Sequence, residues 1–329
     1  WFDIYDEDSP YVDAWWKWWP EVSKTLNILR ITGGEPLLHK TTWKLFDELL
    51  KDPKPHLEIN INTNLGYTHR HMHKLVDYIQ KLRDGNCIKA FKMFSSMDTW
   101  GKRAEYIRDG LDYDLWMSSI HRVLKESNVS KLHMMMTINS LCLTTITEFM
   151  DEMLDLRETY GRRAPTMTLN ILRFPSFQSC AIIPVEIKRH YKDKLQLWFN
   201  SERPQQMLND GERASVQRLI DYLDIVKTPH KNTADMPKLY NDFKAFFAQY
   251  DVRRNKNFVE TFPGPFAEWF ESIDAIVPTR KQIENKETIF VNDRAGDPAT
   301  TEEYTGGDDE HEAIGGWDTK TDALGGVEV

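Results

Sequence analysis

Five consecutive residues, Thr32-Gly33-Gly34-Glu35-Pro36, close the apolar run LNILRIT and carry the densest chemical signal in the chain. Two adjacent glycines let a ligand approach the backbone with no Cβ in the way. Glu35 offers a carboxylate to an ammonium group, and Pro36 sets a rigid exit from the strand. That set would suit an amino-acid-like ligand. It has neither the G-x-G-x-x-G spacing of a dinucleotide loop nor the Gly-Lys-Ser/Thr ending of a phosphate loop. Taken alone, the tetrapeptide GGEP reads as a tight turn.

The elements that must position these residues follow from periodicity. Short apolar or β-branched runs occupy 26–32, 57–63, 88–95, 131–138 and 167–174, while helical spacing marks 40–51, 69–83, 112–127, 144–160 and 185–199. A strand-then-helix rhythm predicts an α/β fold with a parallel sheet, either a barrel or an open doubly wound sheet. The runs are followed by GGEP, NLG, SMD, NSL and PSF. Polar, Gly and Pro residues thus gather at the carboxyl ends of the strands, where both architectures place ligands.

Beyond residue 200 the rhythm changes. Amphipathic spacing predicts helices at 213–227 and 236–250, and NFVETFPGPFAEWF (257–270) belongs to the same helical extension. From about 281 the chain turns rich in Gly, Thr and acids, with too few apolar residues to offset the entropy of ordering. The expected organisation is a sheet domain over 1–200, a helical extension over 201–280 and an acidic, flexible tail over 281–329.

Composition bounds the partners. With 42 Lys+Arg against 51 Asp+Glu, the net charge of −9 argues against bulk attraction to nucleic acid or anionic lipid. No apolar run reaches the roughly 18 residues that span a bilayer, and the first residues, WFDIYDEDSP, lack a signal-peptide pattern. Cys87, Cys142 and Cys180 have neither an even count nor a metal-binding spacing, so they read as reduced thiols of a cytoplasmic protein. His69 and His73 stand four apart without the Glu of an H-E-x-x-H site, which makes zinc a poor reading. Met134, Met135 and Met136 are expected as core fillers. Trp15, Trp16, Trp18 and Trp19 are expected as a helix face packed on the sheet rather than a stacking platform.

Three separated stretches, taken in order, resemble the radical S-adenosylmethionine (SAM) superfamily. LRITGGEPLL resembles its second strand and the GGE motif, ININTNLG its third strand, and MFSSMDTWGKRAEYIRDG its fourth-strand Ser-x-Asp followed by Ile-Arg-x-Gly. WWPEVSKTLNILRITGGEPLL, FPSFQS and the later Phe-Pro-Trp segment resemble most the twitch-domain radical SAM proteins. The resemblance covers about 20–200 and implies a partial (β/α)6 TIM-like radical SAM barrel, from about its second strand to its sixth. It implies that Gly33, Gly34 and Glu35 bind the methionine end of SAM and that Pro36 and Asn64 also belong to the cofactor site. Ser96 and Arg108 would contact its carboxylate or ribose, Asp98 would lie beside them, and Asn139 and Leu172 would complete the site, the latter near the adenine.

Family members hold a 4Fe–4S cluster on three cysteines, usually CxxxCxxC, in the loop after the first barrel strand. This chain has no such motif, and only about 25 residues precede 26–32. The expectation is that the chain begins downstream of the cluster loop, and that as it stands it does not assemble the cluster. No cysteine follows Cys180, so auxiliary clusters are not expected downstream and would lie upstream. The resemblance implies an enzyme that reductively cleaves SAM to a 5′-deoxyadenosyl radical, which takes hydrogen from a substrate such as a peptide or small metabolite. The electron would come from a donor such as flavodoxin or ferredoxin. Two other readings stay open: a non-catalytic SAM-binding or scaffold barrel, and an ordinary α/β hydrolase or transferase in which GGEP is only a turn.

Overall fold

Alternating residue types build the sheet. In the computed structural model, which describes residues 9–66, 69–225, 236–275 and 277, five strands form one sheet. They are β1 (Ile28–Ile31), β2 (Lys54–Thr63), β3 (Ile88–Ser96), β4 (Lys131–Ile138) and β5 (Thr166–Ile171), adjacent in that order. The sheet is parallel, with Ile31 opposite Ile61, Ile61 opposite Met93, and Met93 opposite Leu132. The protein is therefore α/β, as its periodicity predicts. The order never reverses, so the described strands contain no switch point of the doubly wound kind.

One face of this sheet is apolar. Ile59, Ile61, Phe91, Met93, Leu132, Met134 and Met136 are fully or almost fully buried there. The helices α2 (Lys40–Lys51) and α5 (Tyr113–Glu126) cover it: Phe46 meets Phe91 with ring centroids 5.6 Å apart, and the Trp116 indole N–H donates to Ser95 Oγ at 3.2 Å. Apolar positions 45, 46 and 49 recur at helical spacing in α2, so one stripe faces the sheet. In α5 the side chain of Asp112 accepts from Leu115 N at 2.9 Å and satisfies one of the helix's orphan donors. Between these helices in sequence runs α3 (His69–Asp84), which also lies against β3.

Two expectations about packing change. A helix, α1 (Pro10–Val22), holds the four tryptophans, but only Trp19 is buried; Trp15 and Trp16 are half-buried and Trp18 is exposed. At about 100° per residue these four positions span some 160° of the helix, too wide for a single contact face. Trp16 instead carries the Lys44 ammonium of α2, 4.4 Å from its ring centroid. Of the three methionines, Met134 and Met136 are buried but Met135 is half-open, because successive strand residues point to opposite faces.

The chain forms two compact units. Unit 1 comprises residues 1–101, 110–136 and 149–168; unit 2 comprises 102–109, 137–148 and 169–329. Unit 2 contains most of α4 (Gly101–Ile107), the start of α6 (Ile146–Tyr160), and the helices α7 (Val185–Phe199), α8 (Glu202–Met207), α9 (Asp210–Ile225), α10 (Met236–Arg254), α11 (Phe258–Thr261) and α12 (Pro265–Ser272). Within it, Tyr106 Oη donates to Asp251 Oδ1 at 2.6 Å and Phe258 N to Asp251 Oδ2 at 2.7 Å. Asp109 pairs with Arg254 and Lys256 at 2.9 and 3.1 Å. The predicted helices over 213–227 and 236–250 correspond to α9 and α10, and 257–270 divides into α11 and α12. The acidic tail, 281–329, lies outside the described residues.

Candidate functional site

The GGEP turn leaves β1 in unit 1 on two glycines with left-handed backbone, Gly33 at φ 93° and Gly34 at φ 49°. Such angles are costly for residues with a Cβ. Both glycines are exposed, and a Cβ built on Gly33 would meet nothing within 4 Å, so the space above this backbone is open to a ligand. Glu35 follows in extended conformation and caps the short 3-10 turn Pro36–Leu38. Pro36 and Leu37 are buried, and the Trp43 indole N–H fixes the turn by donating to Leu37 O at 3.0 Å.

Glu35 is held from two directions. Asn64 N, just past the end of β2, donates to its Oε2 at 2.6 Å, and Leu37 N donates to its Oε1 at 3.4 Å. An ionised carboxylate has about four acceptor sites, so two remain for a ligand. The loop that aims Asn64 N is itself constrained: Leu65 is buried at φ 54°, rare for a bulky residue, and its N–H bonds to Thr63 Oγ1 at 3.2 Å. Chemically, the arrangement is a pre-oriented anion beside an open glycine backbone. It can receive an ammonium group.

The other sequence-derived candidates divide between the units. In unit 1, Ser96 ends β3 half-buried and Asp98 is buried two residues on. In unit 2, Arg108 follows α4, with its N–H bonded to Ala104 O at 2.8 Å. Asn139 caps the 3-10 turn Ser140–Thr144, its Oδ1 accepting from Leu141 N and Cys142 N at 2.9 and 3.2 Å. Leu172 lies just beyond β5, half-buried, and donates its N–H to Ile138 O at 2.9 Å. Glu35 and Asn64 are joined by a direct bond.

Sequence reasoning passed over the second sheet face of unit 1. Arg30, Glu58, Asn60, Asn62, Lys92, Phe94 and His133 lie there, all but Glu58 only half-buried. His133 has Thr166 Oγ1 and Thr168 Oγ1 at its two ring nitrogens, at 2.7 and 2.9 Å. Burial, aided by the charge of Lys131, lowers its pKa to about 4 and keeps the imidazole neutral at pH 7. The signal was present in the strict alternation of LEININT, where every second residue is polar.

The cysteines do not form a metal centre. Cys87, Cys142 and Cys180 are free and buried, and burial pushes the Cys180 thiol up to about 12. Among the described residues no group of three or more His, Cys, Asp or Glu could hold a metal ion. His71 and His73 are exposed on α3, and the side chain of His69 lies outside the described residues. Among the described residues, no helix is long and apolar enough to cross a membrane. No protein-family model, curated protein or solved structure matches this chain.

Proposed function

We propose that the chain is the SAM-binding portion of a radical SAM enzyme, its five strands corresponding to the second through sixth strands of a (β/α)6 barrel. The observation that carries this reading is the carboxylate of Glu35, fixed by Asn64 N at 2.6 Å beside the open backbone of Gly33. The strand order without reversal is also what barrel winding requires. On this reading Glu35 accepts the methionine ammonium and the glycines admit it. Within unit 1, Ser96 serves its carboxylate or ribose, and Asp98 lies at the same strand end. Bound SAM would supply the 5′-deoxyadenosyl group that takes a hydrogen atom from substrate. This chain's residues bind and orient SAM.

A 4Fe–4S cluster does not fit the cysteines described above, because three separate buried thiols cannot converge on one iron centre. The second reading is a barrel that binds SAM without catalysis. Calorimetry separates these ideas from a plain turn. SAM should bind the protein, and Glu35→Ala should weaken it about 10- to 100-fold, as expected for losing one charge-assisted contact. Affinity for 5′-deoxyadenosine, which lacks the ammonium, should not change. Absence of SAM binding would sink both SAM readings. Intact binding with no reductive cleavage to 5′-deoxyadenosine, in a chain extended upstream to include the cluster loop and reconstituted, would leave the non-catalytic one.

A further inference from the structure

Parallel sheets usually bury both faces and read as continuous apolar runs. In unit 1, β2, β3 and β4 alternate instead, so Glu58, Asn60, Asn62, Lys92, Phe94 and His133 share the second face with Arg30 of β1. Holding so many polar groups half-buried is costly unless they bond to one another or to something bound. Several do bond to one another. Glu58 and Lys92 form an ion pair at 2.8 Å, and His133 sits between two threonine hydroxyls.

Arg30 and Asn60, which stand opposite each other in the β1–β2 register, are left open. Arg30 reaches Asn62 Oδ1 through Nε and Nη2, both at a long 3.4 Å, and its guanidinium carbon lies 5.1 Å from the Phe94 ring centroid. These contacts orient the guanidinium without neutralising it; among the described residues it has no carboxylate partner. Asn60 Oδ1 is buried, and among the described residues no donor reaches it. An oriented guanidinium fork presents paired N–H donors to a planar anion, and an orphaned amide oxygen accepts from a donor on the same ligand.

We infer that this face binds an organic acid, with its carboxylate on Arg30 and an N–H or O–H group on the Asn60 amide. Charge next to Arg30 favours a carboxylate over a phosphate. Lys92 is neutralised by Glu58, and the exposed Lys131, opposite Lys92 on β4, stands three strands away from β1, so the uncompensated charge beside the bound acid is that of Arg30, which matches a monoanion, while Glu58 would repel a dianion. The inference rests on the proposed function only in making this organic acid the substrate.

N-acetylglycine, which carries one carboxylate and one N–H, is a direct probe. In 15N-labelled protein it should shift the side-chain amide signals of Asn60 and Asn62 saturably, whereas neutral N-acetylglycinamide should not. Arg30→Gln should weaken binding at least tenfold, and Arg30→Lys, which keeps the charge but loses the fork, several-fold. No saturable shift, unchanged affinity in Arg30→Gln, or tighter binding of inorganic phosphate would overturn the inference. Should Arg30→Gln fail to fold, unchanged affinity in Arg30→Lys would overturn it equally. Titrating the same samples with SAM separates the two proposals. Loss of SAM binding alone counts against the proposed function, and loss of N-acetylglycine binding alone counts against the organic-acid site.

Discussion

A hydrogen bond of 2.6 Å from Asn64 N makes Glu35 an oriented acceptor rather than a loop carboxylate, and comparable local wiring sorts the other chemically suggestive residues. Asn139 spends its amide oxygen on two backbone N–H groups, so its first role is structural. Asn139→Ala should lower stability by about 1 kcal/mol, the usual value of such a cap. Asn139→Asp keeps the capping oxygen and should preserve stability while removing the amide donor a ligand would use. Denaturant midpoints measure the first effect and SAM calorimetry the second. The cysteines give a complementary expectation. All three thiols are buried, so a thiol reagent should label none in the native protein and three after denaturation. Rapid native labelling would show that one of them is accessible after all.

Elements convert this wiring into rigidity. Phe91, Met93 and Ser95 of β3 face α2 and α5, and Trp116 is both the largest fully buried side chain there and a donor to Ser95. Trp116→Ala should cost about 3–5 kcal/mol through the cavity it leaves. Ser95→Ala should cost about 1–3 kcal/mol, because it strands a buried indole N–H. A shift in urea midpoint reads both, and equal losses would show that packing contributes little beyond the hydrogen bond. In unit 2, Asp251 accepts from Tyr106 and Phe258 N, tying α4 to α10 and α11. Tyr106→Phe should therefore destabilise that unit by about 1–2 kcal/mol, seen as faster hydrogen exchange in α10.

Across the whole molecule, proton linkage shows at His133. Its folded pKa of about 4 lies below the ordinary 6.5, and burial is the main cause. Between those values the unfolded chain binds the extra proton, so stability is full above about pH 6.5 and falls as pH drops through 4. The loss should be on the order of 3 kcal/mol in the unfolding transition that includes β4. His133→Gln should remove that pH dependence, and an unchanged slope between pH 7 and 4 would refute the assignment. The two compact units draw on interleaved segments of the chain, with 102–109 and 137–148 belonging to unit 2 and the flanking stretches to unit 1. A contiguous reading of composition has no means of finding such a division, since it depends on which residues meet after folding.

The five strands, the parallel sheet and the gathering of polar residues after each strand were all legible in the sequence. They depend on local periodicity and on the two glycines before Glu35, and those signals act over a few residues. Periodicity also places the strand ends, which is why GGEP could be singled out. Tertiary structure alone decided what Glu35 touches, since its partner Asn64 is 29 residues away. It also decided that the four tryptophans of α1 do not share one buried face, and that Asn139 is occupied as a cap. The polar sheet face around Arg30 lay between the two. Its alternation was written in LEININT, but only the register that sets Arg30 opposite Asn60 turns scattered polar residues into a site. Hydrophobic patterning specifies which way a side chain points, and only the folded backbone specifies what it meets there.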